Sequence, residues 1–318
     1  GLSITRWQRD TNGAGWQDDK VEDAEETRSG FFVIADSNET ISNSFGTVGV
    51  TLGFGVNVNK SVSLVGDTTW AAISNGEGDR SDITADAVYV RAHQDTNVDN
   101  DGGVAGGSAL GAVGGMDTTI VDNDTRAIIL GQNTPDATAI SAGSGGVEVS
   151  AWSQDVVNSK TGSAGVTAIA GTTGAFSAVD ILSNTTAQLG MTEVDTTGDL
   201  DVTATRIADV ETKAGAISVS LLAGVGGSVD FVTIAGTTEA FMIGACTNAA
   251  GDTSVQALSL TQIDGRSGTG GGGGIASVCG ASAIHVIETK TDAYLQYGGP
   301  RCTINADPAY AGPDQDVA

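Results

Sequence analysis

Cations are scarce in this chain: 14 Lys and Arg stand against 39 Asp and Glu in 318 residues, for a formal net charge of −25. That balance excludes nucleic acid as a partner, because a phosphate backbone is held by clustered Lys and Arg, and it disfavours anionic membrane surfaces for the same reason. Aromatics make up only 5% of the residues, too few for the bulky core that a globular domain of this size buries. Two histidines, His93 and His285, lie far apart and in no metal-ligand spacing. No G-x-S-x-G elbow occurs, and the glycine runs lack the Lys-Ser/Thr of a phosphate loop. No run of about 18 apolar residues exists, so no helical membrane span is expected.

What the chain has instead is glycine, 46 residues of it, with abundant Ala, Ser, Thr, Val and Asp. Small and β-branched side chains make a thin, closely stacked core, as in a β-solenoid. The acidic surface suits solubility at high salt, cation binding, or an extracellular location.

A nine-residue pattern returns five times, at Val65–Ile73, Val121–Ile129, Ile181–Leu189, Ile234–Met242 and Ile287–Leu295. Aligned on Ala71, Ala127, Ala187, Ala240 and Ala293, the position two earlier is always threonine: Thr69, Thr125, Thr185, Thr238 and Thr291. Both the position two later and the position six earlier are always apolar. Even spacing places these columns on one face of a strand. A second set, V-x-V-x-A, reads Phe31-x-Val33-x-Ala35, Val88-x-Val90-x-Ala92, Val147-x-Val149-x-Ala151, Leu200-x-Val202-x-Ala204, Val255-x-Ala257-x-Ser259 and Cys302-x-Ile304-x-Ala306. The anchoring alanines lie 56, 60, 53 and 53 residues apart, which defines a unit of roughly 55 residues. Five short strand-like runs within the first cycle (FFVIA to AVYVRA) predict roughly two to three coils per unit. That gives about twelve to fifteen coils and a rod on the order of 60–70 Å long.

The fold expected is therefore all-β: a single right-handed parallel β-helix of about five degenerate repeats, over residues 31–306. Residues 1–30 lie outside the repeat and read as an N-terminal arm or cap. They hold Trp7 and Trp16, candidate subunit contacts, and a helix-like stretch at Gln17–Arg28. Residues 307–318 form a C-terminal tail after Pro308. A start at Gly1 without a leader is expected either of a processed chain or of a piece of a longer one. Of Cys246, Cys279 and Cys302, the pair Cys279–Cys302 is a candidate disulfide; small buried thiols are the alternative.

Chemistry has one candidate. Asp95, Asn97, Asp99 and Asp101, followed by Gly102, set oxygen ligands at alternate positions of what reads as an acidic turn, and Ca2+ is the cation such a loop would take. The closing Glu of the helix-loop-helix calcium pattern is absent, with Ser108 in its place. No catalytic residue and no organic cofactor is expected. Arg80, Arg91, Arg126, Arg206, Arg266 and Arg301 are scattered through different phases of the repeat, giving no basic groove for a polysaccharide lyase or hydrolase. Asn38, Asn59, Asn123 and Asn184 open N-x-S/T triplets.

The segments VDNDTRAII with VEVSA, and ILSNTTAQL with LDVTA, resemble the repeats of large bacterial surface adhesins of the filamentous haemagglutinin and autotransporter-passenger type. The resemblance covers about residues 31–306 and implies an exported parallel β-helix working as a stalk, adhesin or fibre, with no catalytic residues to carry over. Open strand edges at the ends of a rod favour head-to-tail association. The expected function is thus a non-enzymatic extracellular structural subunit that associates end to end into a surface or matrix filament, its partner being itself. The alternative is an adhesin segment that binds cell-surface or matrix glycans along its side, and a β-helix enzyme acting on polysaccharide comes third.

Overall fold

The computed structural model describes residues 2–8, 22–75, 81–131, 138–296 and 304. Among these residues every element is a strand. At the N-terminus β1 (Leu2–Gln8) and β2 (Glu22–Arg28) form an antiparallel pair with Trp7 opposite Asp23. The helix expected over Gln17–Arg28 is therefore wrong for Glu22–Arg28. Helix propensity is a weak preference, and a β-branched and aromatic partner such as LSITRWQ offers a ladder that overrides it.

Ten further strands make one parallel sheet system: β3 (Phe31–Val50), β4 (Phe54–Ser74), β5 (Asp82–Leu130), β6 (Thr138–Gly190), β7 (Thr192–Thr196), β8 (Leu200–Ser220), β9 (Ala223–Ile243), β10 (Cys246–Ala249), β11 (Thr253–Gly273) and β12 (Ala276–Gln296). The pairing runs through five tiers. Phe31 pairs with Val88, Val88 with Val147, Val147 with Leu200 and Leu200 with Thr253. A second set of long limbs follows the order Phe54, Leu110, Ala170, Ala223 and Ala276. One tier thus consumes one whole repeat, and this corrects the estimate of two to three coils per unit. Five tiers at about 4.8 Å span only about 24 Å, so the 60–70 Å rod is overturned. The short strand-like runs are pieces of limbs about twenty residues long.

Within a tier the first limb runs out to a tip, the second runs back, and their inner faces meet. Asn100 Nδ2 donates to Thr119 Oγ1 across this seam at 2.8 Å, and Thr212 Oγ1 donates to Asp230 Oδ2 at 2.6 Å. At the base, opposite the tip, a short third strand closes the tier: residues 138–142 of β6 pair with β7, and β7 with β10. Ile140, Ala142, Val194, Ala245 and Ala249 thereby join Val88, Val90, Ile129, Leu189 and Met242 in a three-sided apolar core.

All four columns of the nine-residue pattern stack in register. Val65, Val121, Ile181, Ile234 and Ile287 pair in series, and so do the five threonines, the five alanines and the closing apolar residues. Each fully buried Val or Ile here, such as Val121 or Ile181, contributes about 1.5–3 kcal/mol. The second column set needs two corrections. Val202 pairs with Val255 and Ala204 with Ala257, so the fifth entry is Thr253-x-Val255-x-Ala257, shifted by two. Ile304 pairs with Thr247 of β10, which puts it on the short third face rather than on a first limb.

Corners turn through residues in left-handed conformations. Met191 (φ 51°) and Gly244 (φ 62°) occupy the same corner of successive tiers, joined by the hydrogen bond from Met191 N to Ile243 O.

Candidate functional site

Asp95, Asn97, Asp99 and Asp101 lie in the middle of β5, on its outward face, and not in a turn. Ladder bonds to the tiers on both sides hold even Asp and Asn extended. Alternate residues of a strand stand about 6.8 Å apart, so these four side chains cannot converge on one ion as a folded loop would. Their neighbours in the third tier are Gln154, Val156, Asn158 and Lys160. Among the described residues no group of three or more His, Cys, Asp or Glu is placed to hold a metal.

Other expected residues are dispersed. Trp7 is on β1, while Trp16 and Cys302 lie outside the described residues. Cys279 is exposed in the last tier, its Sγ 3.8 Å from Ser277 Oγ. His93 Nδ1 sits 2.8 Å from Asp36 Oδ1 and its ring stacks on Trp152, whereas His285, three tiers further on, has its Nε2 3.2 Å from Asp230 Oδ2. Asn123 is fully buried and donates to Thr96 and Asp155, so its triplet cannot carry a glycan in the folded chain.

The interior holds a strongly perturbed ionisable group. Between two apolar bands runs a polar one that includes Gln94, Thr96, Asn123, Thr125, Ser153, Asp155, Ser183 and Arg206, all fully buried. Burial pushes the Asp155 carboxyl up to about 6, against the pull of hydrogen bonds from Asn123 and Ser183 and of the Arg206 charge. Burial lowers Arg206, and the attraction of Asp155 opposes this. Arg206 Nη2 donates to Ala235 O of the facing limb at 2.9 Å, beside Gly236, whose φ of +136° is open to glycine alone and where a Cβ would meet Ser183 O at 1.9 Å. Both side chains of this pair are fully buried within the stacked tiers.

Two features do face outward and could bind. The first is the pair of end edges: β3 and β4 pair as strands only with the second tier, and β11 and β12 only with the fourth, among the described residues. Columns that are buried elsewhere surface there, with Ile287 52% and Leu295 45% exposed. The second is a pair of troughs floored by stacked glycines. On the first-limb face Gly46, Gly103, Gly162, Gly215 and Gly268 pair in series under a trough of about 860 Å3. Beside it Lys160, Lys213 and Arg266 stack in one column; Lys213 pairs with Glu211, and Arg266 with Asp264 at 2.8 Å. On the second-limb face Gly114, Gly174, Gly227 and Gly280 floor a trough of about 610 Å3.

The troughs carry no signal in the linear sequence, because glycine runs look like loops until tiers are in register. With offsets of 53–60 residues in hand, the glycine columns and the Lys160–Lys213–Arg266 column fall out directly. No family model, curated protein or solved structure matches this chain.

Proposed function

We propose that this chain is a non-enzymatic extracellular structural subunit, a right-handed parallel β-solenoid of five repeats that stacks end to end into a surface or matrix filament. Right-handed is the hand that parallel crossovers take. The observation carrying the reading is that the two open ends are copies of one another in pattern. Set the fifth tier of one molecule on the first tier of the next, and Ile287 meets Val65, Thr291 meets Thr69, Ala293 meets Ala71 and Leu295 meets Ile73, the same columns that stack inside the molecule. Such a contact is heterologous and propagates. Residues 1–30 and 307–318 flank this junction in sequence.

Negative-stain imaging of purified protein tests it: filaments are expected from the native chain and short particles from Ile287→Asp, which buries a charge in the junction. Filaments unchanged in length by that substitution would overturn the reading. Deleting residues 1–30 asks separately whether the arm takes part, and loss of filaments from a still β-rich chain is the expected result.

A second reading, an adhesin segment, is favoured by the first-limb trough and its column of Lys160, Lys213 and Arg266. In a chain of charge −25 three stacked cations beside an open groove suit an acidic glycan. Retention on an immobilised acidic polysaccharide, lost on Lys160→Glu with Lys213→Glu, is the matching test.

A further inference from the structure

The outer face of the second limbs is apolar around the tip. Six columns by five tiers make thirty outward positions, from Phe54, Leu110, Ala170, Ala223 and Ala276 at the tip to Leu64, Ile120, Asp180, Thr233 and Val286 nearest the base. Only Lys60 and Asp180 among them carry charge. Val56, Val58, Leu64, Val225 and Val278 are each 45% exposed or more. Ten residues of strand by five tiers is about 34 by 24 Å, or about 800 Å2. A monomer's largest apolar patch is typically about 300–600 Å2.

We propose that this face is where two copies of the chain pack side by side, sheet on sheet, about a two-fold axis. This contact is distinct from the end-to-end junction and would widen a filament rather than lengthen it. Three observations select a second copy as the occupant. About 800 Å2 per partner is the size of a standard stable interface. Charge points the same way: molecules of net charge −25 repel one another, and this face is where two can meet with almost no like charge opposed.

Shape is the third. The glycine trough at Gly114, Gly174 and Gly227 lies one column from the ridge of Met116, Phe176 and Val229. An axis between trough and ridge seats each copy's ridge in the other's trough, the self-complementarity that a two-fold contact requires. A lipid surface is the poorer occupant, because the two columns bordering the face on its base side carry Asp122, Asp124 and Glu288 against the single cation Lys290, where a membrane-seated face would carry an excess of Lys and Arg.

The test uses the full chain with Ile287→Asp, so that width is read apart from length. Sedimentation equilibrium of this protein is expected to give twice the chain mass of 31.7 kDa. Adding Phe176→Asp and Val229→Asp is expected to return it to one chain mass, with dissociation at least about a hundredfold easier because two carboxylates per copy would be buried against apolar surface. Thr68→Asp, on the outer face of the base, should leave the pair intact, and circular dichroism of all variants should stay β-rich. A single chain mass before any face substitution, a pair that survives the two aspartates, or association that requires added phosphatidylcholine vesicles would each overturn the proposal. If Ile287→Asp still forms filaments, the end-to-end reading fails while filament width, doubled or single, still decides this one.

Discussion

The tip and base halves of each tier share one chain, one register and one ladder of main-chain bonds, yet they are built inside out relative to each other. At the base, apolar residues such as Val90, Ile129 and Leu189 are enclosed by three strands, and charges sit outside. At the tip the inward columns are largely polar, with Asn100, Asp117, Ser159, Ser177 and Asp230 fully buried, while Val, Leu, Phe and Ile face out. The twenty residues about each tip (45–64, 102–121, 162–181, 215–234 and 268–287) contain four charges in all, Lys60, Asp117, Asp180 and Asp230, against 17% for the whole chain. What the difference teaches is that stacked tiers decouple backbone from side chains. Ladder bonds hold the limbs extended whatever they carry, so beyond the buried Val121–Ile181–Ile234 column the tip does without an apolar interior and is free to present apolar surface to a partner.

The comparison breaks most severely where buried charge is left alone. Asp155→Ala removes the carboxylate whose charge offsets the fully buried Arg206, whose Nε and Nη1 have no hydrogen-bond partner, and it should cost about 3–5 kcal/mol in urea unfolding. The two halves are contrasted next by equal truncations. Leu189→Ala empties a fully buried site in the base core and should cost about 2–5 kcal/mol. Val225→Ala, 45% exposed on the tip's outer face, should stay within about 0.5 kcal/mol in the dispersed subunit. An equal loss at both positions would mean that the tip face is already covered.

pH sharpens the same contrast. Asp155 holds its proton more tightly in the folded chain, at about 6, than in the unfolded chain, where the ordinary value is 3.8. Its contribution to stability is therefore fully present below about pH 4 and lost as pH rises through 6, by on the order of 3 kcal/mol in the limit. Burial raises Asp117 too, so its slope has the same sign. Unfolding midpoints at pH 4.5 and 7 should differ less for Asp155→Asn than for the native chain. An unchanged difference would place the pH dependence elsewhere.

Much of this fold was legible because ladder stacking forces like residues into columns. Val65–Ile73 and its four relatives pair as aligned, and the repeat length follows directly. The number of tiers per repeat was not legible, since limb length depends on where the chain turns back, and Asp, Asn and Gly, which mark turns elsewhere, are here held in mid-strand at Asp95–Asp101. The candidate site was hardly legible at all. Gly46, Gly103 and Gly162 are ordinary glycines until the register sets them under one trough, and Arg206 is one scattered cation until the Ala235 carbonyl is found facing it.

The smallest effect tests the corner that joins the two architectures. Where the second limb ends, Met191 takes φ 51°, and the same corner one tier later is Gly244 at φ 62°. A side chain in that conformation costs roughly 1–2 kcal/mol through the approach of Cβ to the carbonyl oxygen, a cost glycine does not carry, although glycine loses more chain entropy on folding. Met191→Gly should therefore stabilise the chain by about 1 kcal/mol at most in urea unfolding. Gly244→Met should destabilise by a similar amount, because the ladder bond from Met191 N to Ile243 O fixes both corners in one geometry. If Met191→Gly destabilises instead, the Met191 side chain must contribute packing that outweighs its backbone strain, and the corner would belong energetically to the base core.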